Sequence, residues 1–257
     1  MDVKNKKVII TGAAGGIGKE IARQLLAKGA IVFGLDINKD NLQRLEEELN
    51  NKNLRTYVVD VSSKESILKF KEEYLKDNDL DILINNAGIV QPFIKIKDLP
   101  DEIIDRVMNI NFYGPLHLTK CFLENLISRE EAFIVNVSSM GGFFPFPSQT
   151  IYGASKAALK LFSEGLYSEL MDTNVHVMVV MPGAINTDIL KNSNVKMFET
   201  SAKNYKMTSP EETAKEIIDG IEKNKFQLYI GSDSKFMNFI YKLNPKGAIK
   251  FINKKMK

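Results

Sequence analysis

Three side chains near the middle of this chain, Ser139, Tyr152 and Lys156, have the types and spacing for proton transfer at an alcohol carbon. Tyr152 and Lys156 stand four residues apart, so on a helix the phenol and the ammonium share one face. A phenol with a reference pKa near 10 is a poor base at neutral pH. A cation about 4 Å away contributes roughly 4 kcal/mol at an effective dielectric of about 20, an upper bound of close to three pKa units. Lys156 is therefore expected to bring Tyr152 into the working range of a general acid or base. Ser139 follows the apolar run Phe133-Ile134-Val135, which reads as a buried strand. A Tyr-x-x-x-Lys pair arises freely on helix surfaces, so the elements around it must supply the rest of the argument.

The first of those elements is at the N-terminus. Residues 7–11 (KVIIT) read as a buried strand, and Gly12-Ala13-Ala14-Gly15-Gly16-Ile17-Gly18 leads into a helical pattern closed by Gly29. Strand, glycine turn and helix is the context of a dinucleotide site. Gly12 allows the tight turn, Gly16 lets backbone approach a pyrophosphate, and Gly18 lets the helix pack on the strand. The helix N-terminus then offers its unpaired N–H groups to the phosphates. A second strand, 31–35, ends at Asp36, eighteen residues past Gly18, where a carboxylate accepts from ribose hydroxyls and repels a 2′-phosphate. Further strands are expected at 55–59, 81–84, 133–135, 175–181 and 226–230, with helices between them at 39–50, 100–127, 151–171 and 210–224. Strands alternating with helices mean parallel pairing, here an α/β, doubly wound, seven-stranded sheet of Rossmann type.

The glycine spacing, Ser139 and the Tyr152–Lys156 pair together resemble the short-chain dehydrogenase/reductase family, over residues 6–231. The resemblance implies cofactor contacts from Gly12, Gly15, Gly16, Ile17 and Gly18, from Asp36, and from Asp60-Val61 beside the adenine. It further implies that Asn86-Ala87-Gly88 lies near the cofactor, and that Pro182-Gly183 and Thr187 close over the nicotinamide. Tyr152 and Lys156 would touch it as well. The catalytic set is then Asn111, Ser139, Tyr152 and Lys156, with Asn111 holding a relay water that links Lys156 to solvent. NADP-using relatives tend to carry a basic residue where this chain has Gly15, so with Asp36 and Ile37 the expectation is NAD(H) over NADP(H). A subunit contact made by helices 100–127 and 151–171, the latter apolar nearly all round, implies a homodimer or homotetramer.

Composition narrows the alternatives. With 257 residues and 44% hydrophobic content the chain makes one domain, residues 1–234, with a substrate lid over 184–209. The one cysteine, Cys121, excludes a disulfide framework and a cysteine metal site and fits a cytoplasmic setting; no metal is expected. A polar start followed directly by a strand argues against a signal peptide. A net charge of +3 is too small to argue for nucleic acid. Val90, Phe93, Phe143, Phe144, Phe146, Ile189, Met197 and Phe198 are candidate pocket residues, about half of them expected to be plain core. Such a pocket favours a lipophilic secondary alcohol or ketone. Two alternatives stand beside it: an NADPH-type 3-ketoacyl reductase, and a non-catalytic NAD-binding regulator. His117 and His176 read as structural or surface residues. The tail, 235–257, is basic, with apolar stripes at Phe236, Phe239, Ile240 and Leu243 and at Ile249, Ile252 and Met256. It is expected to pack over the pocket or a neighbouring subunit, with peripheral membrane contact as the second reading.

Overall fold

Residues of opposite parity in strand β1 (Lys7–Thr11) serve two different cores. Val8 and Ile10 face helices α1 (Gly16–Ala27) and α7 (Pro210–Glu222). Ile9 faces the other way, toward α3 (Lys64–Tyr74) and α5 (Gly114–Ile127). A strand covered on both faces is apolar throughout, which is why these strands show no polar alternation. The computed structural model describes residues 1–187, 189, 193 and 207–255. Most of the expected lid, with Met197 and Phe198, and the tail residues Met256 and Lys257 therefore lie outside the described residues.

The sheet is completed by β2 (Ile31–Asp36), β3 (Leu54–Val58), β4 (Ile82–Asn85), β5 (Ala132–Val137), β6 (Val175–Pro182) and β7 (Gln227–Ile230). All pairings are parallel, in the order β3-β2-β1-β4-β5-β6-β7. The expected doubly wound seven-stranded sheet is thus the fold, with strand ends within a residue or two of those read from the sequence. Helix α2 (Lys39–Leu49) covers the β2–β3 side, capped by Asn38, whose side chain accepts from the Asn41 N–H at 2.9 Å. Helix α7 starts at a capping box, Ser209 Oγ accepting from the Glu212 N–H at 3.0 Å while Glu212 reaches back to the Ser209 N–H. Each fully buried Leu, Ile or Phe in the two cores contributes about 1.5–3 kcal/mol against exposure.

One expected element is divided. The continuous helix read over 100–127 is α4 (Asp101–Met108), a π-turn Asn109–Tyr113, and α5. Gly114 donates its N–H to the Asn109 carbonyl, one residue further back than in an α-helix. Asn111, within this turn, is fully buried and bonds the Ile89 backbone and Ser155 Oγ through its side-chain amide. Helix α6 (Thr150–Glu169) carries Tyr152 and Lys156 at its N-terminal end. It buries Ser155, Lys156, Leu159, Ser163 and Leu166 while Leu161 is 70% exposed, so its apolar surface is covered on one side within this chain. Among the described residues no helix is long and apolar enough to cross a membrane.

Candidate active site

The chain runs outward from β1 to β2 and β3 and then crosses back to β4 on the other side of β1, so the C-terminal ends of β1 and β4 flank the switch point of the sheet. A cleft of about 740 Å³ opens there. The first glycine turn forms its floor: Gly12 and Gly16 have φ of +64° and +50°, left-handed values that glycine adopts without strain. Gly18 lies behind this wall and does not line the cleft; a Cβ on it would overlap the Gly12 carbonyl oxygen. Its use is thus to let α1 meet the turn, as expected from its spacing. Gly15, Gly16 and Ile17 do line the cleft, and Thr187 stands against Gly16.

The turn is tied to β4 by Thr11. Its hydroxyl accepts the N–H groups of Asn86 and Ala87 at 3.0 and 2.9 Å, and the Asn86 side chain donates to the Thr11 carbonyl at 2.9 Å. Asn85 points instead into the sheet, donating to Asn136 at 2.8 Å, which donates in turn to Ser163 at 2.9 Å. This buried polar chain links β4, β5 and α6. Asp36, at the end of β2, lines the cleft and accepts the N–H groups of Ala14 at 3.2 Å and Asn38 at 3.0 Å. Asp60, Val61, Asn86, Ala87, Gly88, Pro182 and Gly183 complete the expected lining. Among the described lining residues the cations are Arg106 and Lys156.

Ser139, Tyr152 and Lys156 meet at the same end of the cleft. Ser139 caps the short 3-10 turn Met140–Gly142, accepting from the Gly141 N–H at 3.0 Å, and its hydroxyl faces the Tyr152 phenol. Lys156 is 4% exposed and its Nζ donates to the Val137 carbonyl at 2.9 Å. An ammonium has three donors, so two remain for a ligand. Gly88 keeps that space open: a Cβ there would stand 3.0 Å from Lys156 Nζ. A cradle of left-handed glycines, a ribose-facing carboxylate and a buried ammonium with donors to spare fit a nicotinamide dinucleotide.

Two expectations about this cluster need correction. Lys156 does not bring the Tyr152 pKa down. Burial pushes the phenol above its ordinary value, and the Ser139 hydroxyl offsets this only in part. Burial also lowers Lys156 itself, to about 8. Loss of water opposes both charges here, an effect that the i,i+4 spacing does not report. Asn111 does not line the cleft. Its Oδ1 accepts from the Ile89 N–H and its Nδ2 donates to the Ile89 carbonyl, both at 2.9 Å, and to Ser155 Oγ at 3.0 Å. A side chain so engaged has no donor left for a relay water.

The sequence reading missed Gln91. Its side chain is fully buried, and Oε1 accepts from the N–H groups of both Ile151 and Tyr152, at 2.8 and 2.9 Å. Nε2 donates to the Ser148 carbonyl at 3.0 Å. Gln91 thus caps α6 from a distant loop and fixes the backbone of Tyr152 itself, since two orphan donors of a helix start need a partner. The available signal was a lone amide inside the apolar run Ile89-Val90-Gln91-Pro92-Phe93. Gln91→Leu is expected to lower stability by about 1–3 kcal/mol, because both N–H groups stay buried without a partner. Equal denaturation midpoints for wild type and Gln91→Leu would show that the cap carries no weight.

Of the candidate pocket residues, Val90 and Ile189 line the cleft. Phe143, Phe144 and Phe146 do not; they belong to a third cluster with Met140, Met237, Ala248 and Ile252. Phe144 is fully buried, 5.6 Å from the Tyr241 ring. These phenylalanines hold the tail, helices α8 (Ser232–Leu243) and α9 (Pro245–Lys255), against the loop after Ser139. Asp233 accepts from the Ala184 N–H at 2.7 Å, and Ser234 donates to the Met181 carbonyl at 2.7 Å. The tail packs on this cluster through Met237 and through two members of the expected stripes, Ile240 and Ile252. Met237 is buried, whereas Phe236, Phe239 and Leu243 point outward. His117 stacks with Tyr113 and His176 lies on β6 near Glu131, neither in the cleft. Among the described residues no His, Cys, Asp and Glu are grouped to hold a metal.

Residues 6–197 match the model of the short chain dehydrogenase family. The chain is 30% identical to a very-long-chain 3-oxoacyl-CoA reductase from Anas platyrhynchos, over 97% of this chain and 83% of that protein. A short-chain dehydrogenase/reductase from Burkholderia phymatum in complex with NAD shares its fold at a TM-score of 0.82 and 21% identity, covering 89% of this chain and 90% of that one. A second, from Burkholderia cenocepacia in complex with NADP, does so at 0.84 and 22%, covering 98% and 99%. The glycine turn, the parallel sheet and the Ser139–Tyr152–Lys156 cluster thus recur in a chain whose match to the family runs over three quarters of its length, and this protein belongs to the short-chain dehydrogenase/reductase family, as an oxidoreductase of CH–OH and keto groups.

Proposed function

We propose that this chain interconverts a secondary alcohol and a ketone on a lipophilic substrate, with Tyr152 as the acid and base and NAD(H) as the preferred cofactor. The observation that carries the reading is Tyr152, Ser139 and buried Lys156 brought together at one end of a dinucleotide-shaped cleft. The bound nicotinamide supplies or accepts the hydride. Tyr152 gives its proton to the carbonyl oxygen in the reductive direction and takes it back in the oxidative one. Ser139 hydrogen-bonds that same oxygen and so orients it against the phenol. Lys156, with two N–H groups to spare beyond its bond to Val137, would direct them to ribose hydroxyls. Asn111 ties Ile89 to the π-turn. The outward face of α6, with Leu161 exposed, suits a homodimer or homotetramer.

A second reading, reduction of a 3-oxoacyl thioester, is favoured by the relative named for that activity. It is also favoured by the raised Tyr152 pKa, since a phenol that keeps its proton at neutral pH is ready to donate to a carbonyl. Initial rates on medium-chain secondary alcohols and ketones and on 3-oxoacyl thioesters, each with both dinucleotides, test the two. Absence of turnover on all of them overturns the first reading and the second.

Asp36 supports NAD(H), because its carboxylate stands where a 2′-phosphate would bring further negative charge. Asp36→Ala with Ile37→Arg is expected to shift the kcat/KM ratio toward NADP(H) by at least about tenfold, through loss of repulsion and gain of a phosphate-binding fork. If the wild-type protein already uses NADPH better than NADH, Asp36 is not the discriminating group.

A further inference from the structure

Helix α8 leaves Phe236, Phe239 and Leu243 exposed at 51%, 63% and 70%. Spaced by three and four residues, they make one stripe along the helix. The exposed cations beside it are Lys235, Lys242, Lys246, Lys250 and Lys254. From residue 235 onward the sequence has seven lysines and no acid, whereas the residues before hold 28 basic and 32 acidic groups. The segment that carries these three outward apolar side chains is therefore strongly positive, while the residues before it are net negative. A second copy of the chain would set this lysine-rich face against itself, and like charges opposed across an interface are repulsive. An anionic surface with an apolar interior complements both features at once.

We propose that α8 and α9 dock this protein on an anionic lipid bilayer, with Phe236, Phe239 and Leu243 at the acyl boundary and the lysines against the headgroups. The same helix pair is bolted to the cleft: Asp233 and Ser234 bind the segment at Met181 and Ala184, and Met237 and Ile252 pack on Met140, next to Ser139. Docking then sets the rim of the cleft beside the bilayer, where a lipophilic substrate concentrates. The docking itself does not depend on which substrate is used.

Co-sedimentation of the full chain with phosphatidylcholine vesicles containing about one third phosphatidylserine tests this, against vesicles of phosphatidylcholine alone. The protein is expected to pellet with the anionic vesicles at low salt, to stay in the supernatant with the neutral ones, and to be released by high salt. Lys242→Gln, Lys246→Gln and Lys250→Gln together are expected to weaken binding on the order of a hundredfold. Phe236→Ser, Phe239→Ser and Leu243→Ser together are expected to abolish pelleting, and both sets to leave turnover of a water-soluble alcohol unchanged. A wild-type chain that stays in the supernatant at low salt overturns the proposal, as does a serine variant that pellets like wild type. If in the first case the serine variant also shifts from a larger to a smaller species by light scattering, a second copy covers the stripe.

Discussion

Tyr152→Phe is expected to lower turnover by about 10²–10⁴-fold, the range for loss of a positioned general acid or base, while nucleotide affinity stays within about twofold of wild type. The substitution removes one hydroxyl and keeps the ring that packs at the start of α6. That hydroxyl faces Ser139 and bonds nothing in the sheet, so the strands and the glycine turn keep their bonds. Lys156 keeps its bond to Val137 and its free donors. Rate measurement paired with calorimetric titration of the dinucleotide separates the two effects. The raised pKa of Tyr152 gives the pH dependence its sign: oxidation, which needs the phenolate, rises with pH, and reduction, which needs the phenol, falls. Substantial turnover by Tyr152→Phe at any pH would sink the mechanism, and an unchanged cellular role with no turnover in either protein would point to the regulator reading instead.

Much of this site was legible because its signals are local. The glycine turn shows as a spacing between a strand and a helix, Asp36 as the end of the next strand, and Tyr152 with Lys156 as one helical turn. Burial on both sheet faces makes the inner strands, such as β1 and β6, near-continuous apolar runs, which points to the architecture from pattern. What stayed hidden is long-range. Gln91 caps a helix sixty residues away in the chain, and no local pattern relates a loop amide to that helix start. The outward stripe of α8 was misassigned because Phe236, Phe239 and Leu243 repeat with the same period as the buried face would. Periodicity finds a stripe but cannot say whether the domain or its surroundings cover it; here the core takes Met237 and Ile240 and leaves the other three outside. The Tyr152 pKa was misjudged for a related reason. Spacing gives the distance between two charges, whereas burial, which decides both shifts, depends on everything packed around them.

Lys156→Met is expected to abolish most turnover and at the same time to stabilise the fold at neutral pH. The side chain is 4% exposed, and burial alone holds its pKa near 8, against 10.5 for the free group. Between those two values the unfolded chain binds the proton and the folded one does not, so wild-type stability rises with pH across that window. Below pH 8 both states are protonated, and the folded protein bears the full cost of a buried charge, about 3 kcal/mol. Methionine is close in shape and removes the cost, though it leaves the Val137 carbonyl without its Lys156 partner, a loss of about 1 kcal/mol. The net gain at pH 7 is about 2 kcal/mol, or about 5 °C in Tm for a chain of this size. It shrinks as the pH rises above 8 and vanishes by about pH 10, where wild type is itself neutral at this position. Loss of the ribose donors is expected to weaken the dinucleotide by about 10–100-fold, so the melting experiments are run without it, since binding to wild type alone would mask the difference. A variant less stable than wild type by the same amount at pH 7 and pH 10 would mean that the Lys156 ammonium is well solvated in the folded protein, and the account of its role given by burial would fall with it.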